Sequence, residues 1–455
     1  MRHLGLAMSI LCVVLSGTTA RAADPFPGGV QAVTLKNGLR LLLAPDDRAT
    51  AVDLAVWYAA GTRYERAGIT GISHLFEHLM FRGSAGFGPQ EHRRLIQSEG
   101  GNSGAYTSAD YTCFFETVPP EALELAIRLE ADRMGALTLT QDRLEAERPV
   151  VRDEKARGSG SPAFDRGLEL LYDSAFPSHP YRWPVFGLDA DIPRLTLKDC
   201  IDYYKLRYTP QHVTVTVVGN FDPARAMEWA KHHFEAVKAG TRREPALRSD
   251  LAPAKGRRAT ERANLPSPLL LVGWRGPARG DPDWPALDLL SAILTGGPSS
   301  RLHHELVETR RSCLAVQGDL EGRRDGSLFY AAAAVPPGAD TAAVERDLAA
   351  EIDRLVTEPV TDSELERVRN QAHASLLFSL QTARGRGQAL GLFELLNGSY
   401  QDLTRHLERL RACTPADLQR AAARHLAAER SCVVWVTPAG DTSTTTAPTT
   451  GGGRP

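Results

Sequence analysis

The feature that most limits the possible folds is an internal repeat within the 455-residue chain. Three matching pairs of residues keep one constant offset of 218 positions: Thr196 and Thr414, Asp199 and Asp417, and Val215 and Val433. In each copy a threonine is followed three positions later by an acid, which is the spacing of a helix N-terminal capping box. A helical stretch and an apolar strand follow in both copies. We therefore predict two halves of roughly 200 residues that share a fold.

Local patterns in the first half predict a sheet accompanied by helices. Residues 31–45 contain two apolar runs around a Lys36-Asn-Gly turn, which is typical of a β-hairpin. Further apolar alternation and helical periodicity predict four more elements: a strand at 52–58, two paired strands within 104–118, and a helix at 119–134.

A short motif in the first half points to metal chemistry. His74, Glu77 and His78 stand at i, i+3 and i+4, so a helix would place all three side chains on one face. Two imidazoles one turn apart can share a zinc ion, and the carboxylate between them lies near the water of such a site. This H-x-x-E-H order is the inverzincin signature. Packed or surface histidines are the alternative explanation of the same spacing.

A catalytic zinc site usually takes three protein ligands, and residues 141–157 offer candidates for the third. Glu147 and Glu154 are seven positions apart and would share one helix face. One of them can bind the ion, while the other can orient a histidine ligand without touching the ion. The spacing alone leaves open which carboxylate has which role.

Several segments together carry a resemblance to a known family. They are Asn37-Gly-Leu-Arg, Trp57-Tyr, Gly61-Thr-Arg, His74-Leu-Phe-Glu-His, Gly83-Ser, and the stretch from Glu147 to Glu154. This pattern resembles the pitrilysin/insulinase/mitochondrial processing peptidase family of zinc metallopeptidases, in particular its secreted, short-chain bacterial members. The resemblance extends over nearly all of residues 30–440.

The resemblance assigns a role to each motif residue. It implies that His74, His78 and Glu154 bind Zn²⁺, that Glu77 is the general base, and that Glu147 is a supporting carboxylate. It also implies an α+β fold with two repeated halves, each a mixed, largely antiparallel β-sheet covered by helices. In the family such units close around a chamber that admits unfolded or short peptides.

The resemblance also suggests where a substrate would lie. Its backbone would pair as an added strand along residues Gly104, Ala105, Tyr106 and Thr107. The alternative is that this segment is only a sheet edge. An asparagine usually precedes this alanine in the family, and Gly104 stands there instead, which removes one polar contact to the substrate.

A second departure concerns an Arg/Tyr pair that active single-chain relatives carry in the C-terminal half. Counting from Gly296-Gly-Pro-Ser-Ser-Arg-Leu302 places the two positions on Val307 and Leu314, neither of which donates a side-chain hydrogen bond. We therefore expect a homologous partner subunit that lacks the zinc motif and supplies the pair, although a homodimer is possible. If this count is displaced by a few residues, Arg301, Arg310 or Arg311 could supply the arginine of the pair. No tyrosine lies near enough in the sequence to complete it.

The ends of the chain and its middle suggest the domain organisation. Residues 1–22 have a basic start, an apolar core and a small-residue end, which predicts a signal peptide cleaved after Ala22 and a periplasmic protein without a membrane span. The other predicted units are an N-terminal zinc-bearing domain at 23–240, a linker at 241–268, a homologous domain at 269–440 and a disordered tail at 441–455.

Composition excludes several other classes of protein. A formal charge of −2 gives no indication of a nucleic-acid or anionic-membrane partner. Five cysteines outside the leader are sparse and lack metal-type spacing, although one disulfide is possible: Cys113, Cys200, Cys313, Cys413 and Cys432. The pairs His232-His233 and His303-His304 are predicted surface residues, and Arg384-Gly-Arg-Gly-Gln388 is at most a weak phosphate-binding pattern.

These observations lead to one functional prediction and one alternative. The prediction is a zinc-dependent endopeptidase or oligopeptidase that hydrolyses unfolded or short peptides, as the zinc-bearing subunit of a heterodimer. The alternative is a non-catalytic family member that binds peptides or has a structural role. All five motif positions are present, which favours the enzyme.

Overall fold

The computed structural model describes residues 26–158, 161–242 and 255–439, which form two sheets with helices packed against them. The first half contains β1 (Gln31–Thr34), β2 (Arg40–Pro45), β3 (Val52–Tyr58), α1 (Ile72–Leu79), α2 (Glu91–Ser98), β4 (Asn102–Thr107), β5 (Thr112–Val118), α3 (Leu123–Ala136), α4 (Gln141–Arg157), α5 (Pro162–Ala175), α6 (Leu197–Arg207), β6 (Val213–Gly219) and α7 (Pro223–Phe234). The second half contains β7 (Arg258–Ala263), β8 (Leu269–Gly276), α8 (Trp284–Thr295), β9 (Ala315–Glu321), β10 (Ser327–Ala334), α9 (Thr341–Thr357), α10 (Asp362–Ser379), α11 (Ala383–Leu392), α12 (Asp402–Ala412), α13 (Pro415–His425) and β11 (Cys432–Pro438). π-Helical segments at His303–Thr309 and Phe393–Asn397 lie after α8 and α11.

The two sheets share one strand topology. The first has the order β1-β2-β6-β3-β5-β4 and the second has β7-β11-β8-β10-β9, so each strand of the second sheet has a counterpart in the first. The pairs β2–β6 and β7–β11 are parallel, whereas the other strand pairs are antiparallel. The predicted α+β class, with two repeated halves that each hold a mixed and largely antiparallel sheet, is confirmed.

The repeat also holds at the level of single residues. Thr196 at the start of α6 and Thr414 at the start of α13 each form a capping box with the acid three positions later. These boxes satisfy backbone N–H groups that a helix start would otherwise leave unpaired. The strands that follow, β6 and β11, are buried along almost their whole length and lie inside their sheets.

Each half contributes one helix to the sheet of the other half. Helix α5 precedes the second sheet in sequence, yet it packs on β8 and β11 of that sheet, with Leu171 in one apolar cluster with Leu271. Helix α11 packs in turn on β3 and β6 of the first sheet, where Leu392 joins a cluster around Trp57. The two halves are therefore interlocked by a reciprocal exchange of helices.

A glycine on each exchanged helix permits this close packing. A Cβ atom at Gly167 of α5 would lie 2.5 Å from Cδ1 of Leu271, and one at Gly391 of α11 would lie 2.2 Å from Cε2 of Trp57. A side chain at Gly391 cannot be accommodated against the buried Trp57 ring, so this position requires glycine, whereas a Cβ atom at Gly167 would require the Leu271 side chain to shift.

The predicted linker at 241–268 is partly wrong. Residues 258–263 form strand β7, which pairs in parallel with β11 at one edge of the second sheet. The segment is polar because alternate residues along this edge strand are exposed, and a half-exposed strand has the low apolar content that suggested a linker. The second sheet thus begins before residue 269.

Some predictions fall on residues that the structure does not describe. The signal peptide at 1–22, linker residues 243–254 and the tail at 441–455 lie outside the described ranges. Within the described ranges, no helix combines the length and apolar character needed to cross a membrane. All five cysteines after residue 22 are described, and each is a free thiol rather than half of a disulfide.

Candidate metal centre

Two helices bring the motif residues together. Helix α1 carries His74, Glu77 and His78 on one face, and helix α4 packs against it with Glu147 and Glu154. Both histidines and both carboxylates of α4 therefore meet at the contact between the two helices.

The start of α1 is fixed by a buried carboxylate that the sequence analysis did not identify. Glu65 accepts hydrogen bonds from the N–H groups of Gly71 and Ser73, at 2.9 Å each, and from the Ser73 hydroxyl at 2.7 Å. Gly71 has φ 82°, a conformation that favours glycine. Because Ser73 precedes His74, this cap also anchors the backbone of the motif.

Three side chains converge as a potential ligand set. The Nε2 atoms of His74 and His78 lie 3.7 and 3.1 Å from Oε2 of Glu154. One potential ligand atom from each of these residues lies within 4.8 Å of the others. The contact between α1 and α4 thus selects Glu154, rather than Glu147, as the carboxylate beside both Nε2 atoms.

The donor set fits a zinc ion. Two atoms that each lie about 2.0–2.1 Å from a tetrahedral ion are about 3.3–3.4 Å apart, close to the two nitrogen–oxygen separations found here. Burial, together with the neighbouring His78, lowers the pKa of His74 to about 3, so this imidazole is in the neutral form that a metal requires. Two histidines and one carboxylate also leave a tetrahedral position for water.

Glu147 lies behind His78. Its Oε2 atom is 3.2 Å from Nδ1 of His78, and its Oε1 atom forms an ion pair with Arg82. Burial lowers the pKa of His78, but hydrogen bonding to Glu147 and the charge of Glu154 outweigh burial, and the net shift is upward. Arg82 was not singled out from the sequence, although its position four residues after His78 places it one turn further along.

His74 is supported differently. Its side chain is almost fully buried, and the ring of Phe186 meets it edge to face with centroids 4.7 Å apart. The Nδ1 atom of His74 has no hydrogen-bond partner among the described residues. Among the described residues, this imidazole therefore has aromatic packing where His78 has a carboxylate behind its Nδ1 atom, and no local sequence signal indicated Phe186.

Glu77 is held by the predicted substrate strand. The hydroxyl of Thr107 donates a 2.7 Å hydrogen bond to Oε2 of Glu77. Burial raises the pKa of Glu77, and the bond from Thr107 opposes that rise. Thr107 was predicted only as a substrate-binding residue, so its contact with the carboxylate is an addition from the structure.

The other residues of that strand point in two directions. Strand β4 is the outermost strand of the first sheet and pairs only with β5 there, which leaves its second edge without a strand partner in the described residues. Ala105 packs on the core beside α1, whereas Tyr106 joins the Trp57 cluster on the opposite face. The structure therefore brings Thr107, but not Tyr106, to the motif helix.

The space beside Gly104 is occupied by a side chain of the neighbouring strand. A Cβ atom at this position would lie 2.4 Å from Cζ of Phe115, its cross-strand partner, and the guanidinium of Arg384 lies 3.2 Å from the Phe115 ring centroid. An asparagine would clash with this ring. The absence of the family's usual asparagine is therefore coupled to an aromatic residue packed in its place.

The C-terminal half offers no polar group at the two positions that the Arg/Tyr count identified. Val307 lies in the π-helical segment and packs against the second core, and the Leu314 side chain is 57% exposed. Two of the alternative arginines are engaged within their own half. Arg301 binds Glu364 at 2.7 and 2.9 Å. Arg310 forms ion pairs with Glu305 and Asp347.

A second group of buried His and Glu residues has a different character. His92 lies 2.9 Å from Glu116, and Glu130 is nearby. The guanidinium of Arg133 contacts both carboxylates and takes the place that a cation would occupy.

Neither His232-His233 nor His303-His304 joins a group of three potential ligands among the described residues. Residues 384–388 lie in α11, which packs against the first sheet.

Comparison with known proteins agrees with this architecture. Residues 40–186 match the profile described as Insulinase (Peptidase family M16), and residues 194–372 match the profile described as Peptidase M16 inactive domain. The chain is 29% identical over 443 residues to the zinc protease PqqE of Helicobacter pylori, which covers 96% of this chain and 98% of that protein. It is 28% identical over 424 residues to an uncharacterized zinc protease of Streptomyces coelicolor, which covers 91% of both proteins.

Solved structures show the same fold. A protease from Helicobacter pylori superposes with a TM-score of 0.85 and 28% identity, covering 90% of this chain and 99% of that chain. A peptidase M16 inactive domain from Pseudomonas fluorescens superposes with a TM-score of 0.81 at 19% identity, covering 90% of this chain and 98% of that chain. The two profile matches together span well over half of the sequence, and the chain belongs to the insulinase family of zinc metallopeptidases, M16.

Proposed function

We propose that this protein is a zinc-dependent endopeptidase or oligopeptidase that hydrolyses unfolded or short peptides. The single observation that carries the proposal is the convergence of His74, His78 and Glu154, with the Glu77 carboxylate on the same helix face. Membership of a family of zinc proteases supports the same reaction class.

The residues of the site divide the reaction between them. A bound zinc ion would supply Lewis acidity, which lowers the pKa of water and polarises a carbonyl group. His74, His78 and Glu154 would hold it. Glu77 accepts the proton of the attacking water and passes it to the leaving amine. Thr107 fixes one oxygen of that carboxylate, which leaves the other oxygen for the water.

The free edge of β4 supports a mode of substrate binding. We propose that an extended peptide pairs with the backbone of residues 104–107, because an edge strand offers unpaired N–H and C=O groups. The Thr107 contact with Glu77 would then place the added strand beside the base. Such pairing recognises the substrate through its backbone hydrogen bonds, so it suits unfolded and short peptides.

The missing Arg/Tyr pair supports a divided active site. Val307 and Leu314 do not stabilise a developing oxyanion, and loss of one such donor typically costs about 10²–10³ in turnover. We therefore propose a homologous subunit without the zinc motif as partner, and a homodimer as the alternative assembly. The leader-like residues 1–22 support export, and we propose that the assembly acts in the periplasm.

A non-catalytic peptide-binding role is the second candidate. It is favoured by the same two apolar positions and by the match of the C-terminal half to a domain described as inactive. The complete set of motif residues in the first half favours the enzyme.

The test measures zinc content and cleavage of a quenched-fluorescence peptide. We expect one zinc per chain and hydrolysis by the chain mixed with its homologous subunit. Glu77→Gln should reduce turnover by about 10²–10⁴-fold, the usual contribution of a general base, without loss of zinc. Glu99→Gln, at an exposed acid on the same half, is the matched control.

Each result discriminates between the candidates. Full activity of the lone chain would show that no partner is needed. Absence of zinc and of hydrolysis in every mixture would leave the peptide-binding role as the better account.

A further inference from the structure

Arg82 lies immediately behind the supporting carboxylate. It follows α1, four residues after His78, and its guanidinium forms an ion pair with Oε1 of Glu147. The other oxygen of Glu147 lies 3.2 Å from Nδ1 of His78. A continuous path of charged contacts thus leads from Arg82 through Glu147 to a histidine of the ligand set.

Burial makes this cation necessary for Glu147. The Glu147 side chain is only 1% exposed, and a carboxylate without a partner in such a place is strongly disfavoured. Among the described residues, only His78 and Arg82 form ion pairs with it. If His78 binds a metal ion, its imidazole is neutral, and Arg82 is then the only full positive charge in contact with Glu147.

The backbone beside Arg82 is held by α4, which carries Glu147, and by the segment that leads into α4. The carbonyl of Gly83 accepts hydrogen bonds from the Thr138 N–H at 3.1 Å and from the Arg143 guanidinium at 3.2 Å. Arg143 lies one turn before Glu147 on α4. Helix α4 and the residues just before it therefore hold the backbone next to Arg82 as well as carrying its carboxylate partner.

The formal charges of the site are balanced by this cation. Glu77, Glu147 and Glu154 contribute three negative charges, a divalent ion contributes two positive charges, and Arg82 brings the sum to zero. The Arg82 side chain is 32% exposed, so its own desolvation cost is smaller than that of the buried carboxylate.

We propose that Arg82 is a positioning residue of the metal centre, which fixes the Glu147 carboxylate and thereby the ring of His78. This inference rests on the proposed zinc site. Residues that orient ligand side chains typically change metal affinity about 10–100-fold when they are removed. Arg82 acts through Glu147 and need not touch the ion or the substrate.

The test is a double-mutant cycle on zinc affinity, measured by competition with a chromogenic chelator on the full chain. Arg82→Gln and Glu147→Gln should each weaken zinc binding about 10–100-fold. The double variant should be no weaker than Glu147→Gln alone by more than about twofold, because Arg82 has no partner to position once Glu147 is neutral. Arg82→Lys, which keeps the charge, should lose less affinity than Arg82→Gln.

Controls separate positioning from folding. Arg94→Gln removes an arginine that is exposed and paired with Glu91 on the surface, and it should leave zinc affinity unchanged. If Arg82→Gln does not fold, as judged by circular dichroism, the cycle is run with Arg82→Lys, whose smaller loss of zinc affinity should disappear when Glu147→Gln is also present.

The possible failures are distinct. Wild-type and Arg82→Gln chains that bind zinc equally tightly would overturn the role of Arg82 alone. Losses that simply add in the double variant would overturn it as well. A folded wild-type chain that binds no zinc would overturn the proposed function and this inference together.

Discussion

At the scale of single residues, the Thr107 hydroxyl connects two parts of the site. It belongs to the edge strand proposed to receive the substrate, and it donates its hydrogen bond to the Glu77 carboxylate. A carboxylate fixed in this way would present one defined oxygen to water, as the proposed general base requires. Strand and base are therefore coupled through a single side chain.

Removing this bond tests the coupling. Thr107→Val keeps the side-chain shape and deletes the donor, so the carboxylate loses a bond worth about 1.5–3 kcal/mol. We expect kcat to fall by about 10–100-fold with zinc content unchanged, measured by peptide hydrolysis and metal analysis. Thr107→Ser, which retains the hydroxyl, is the control. A valine variant with wild-type kcat would contradict a positioning role for Thr107.

At the scale of elements, a glycine lies at the close approach of each exchanged helix, α5 and α11, to its sheet. The helix axis of α11 approaches β3 so closely that Gly391 has no space for a Cβ atom beside Trp57. On α5 the equivalent approach to β8 occurs at Gly167, beside Leu271. Close packing of a helix glycine against the sheet thus occurs once on each sheet.

A larger side chain at this contact should separate the helix from the sheet. We expect Gly391→Val to lower the free energy of unfolding by about 1–3 kcal/mol or more, the usual cost of overpacking. Urea denaturation measures this change. Gly280→Ala is the control, because a Cβ atom there would meet its nearest neighbour at an ordinary 3.7 Å. Equal stability of Gly391→Val and the wild type would contradict the close approach.

At the scale of the whole molecule, the exchange makes each half incomplete alone. Without α11, the face of the first sheet around Trp57 is uncovered, and without the second sheet the apolar face of α5 around Leu171 is uncovered. Exposed apolar surfaces of this kind promote association or aggregation. The halves repeat a fold but are not independent domains in the usual sense.

Separated halves should therefore depend on each other. We expect residues 26–242 and 255–439, expressed as two chains in one cell, to co-purify as a one-to-one complex, whereas either alone should be largely insoluble. Gly391→Val in the second chain should weaken recovery of the complex. Two soluble, separately folded halves that do not associate would contradict the interlocked arrangement.

Much of the fold and the site was predictable because the signals are local. The hairpin, the strand at 52–58 and the repeat of α6 and α13 follow from short-range alternation and capping. The linker was misjudged because an exposed edge strand such as β7 has the composition of a loop. Arg82 and Phe186 were missed because each meets its partner only after distant segments fold together.

The shared helix face of His74, Glu77 and His78 follows from their spacing, because a helical period of 3.6 residues makes that placement local. The repeat of the two halves also follows from the sequence, because capping and strand patterns recur at a fixed offset. Tertiary contacts are needed to bring Glu154 to both histidines and Thr107 to Glu77, and to select the sheet that each exchanged helix covers. The periodicity of a helix defines its apolar face, but not the surface against which that face packs.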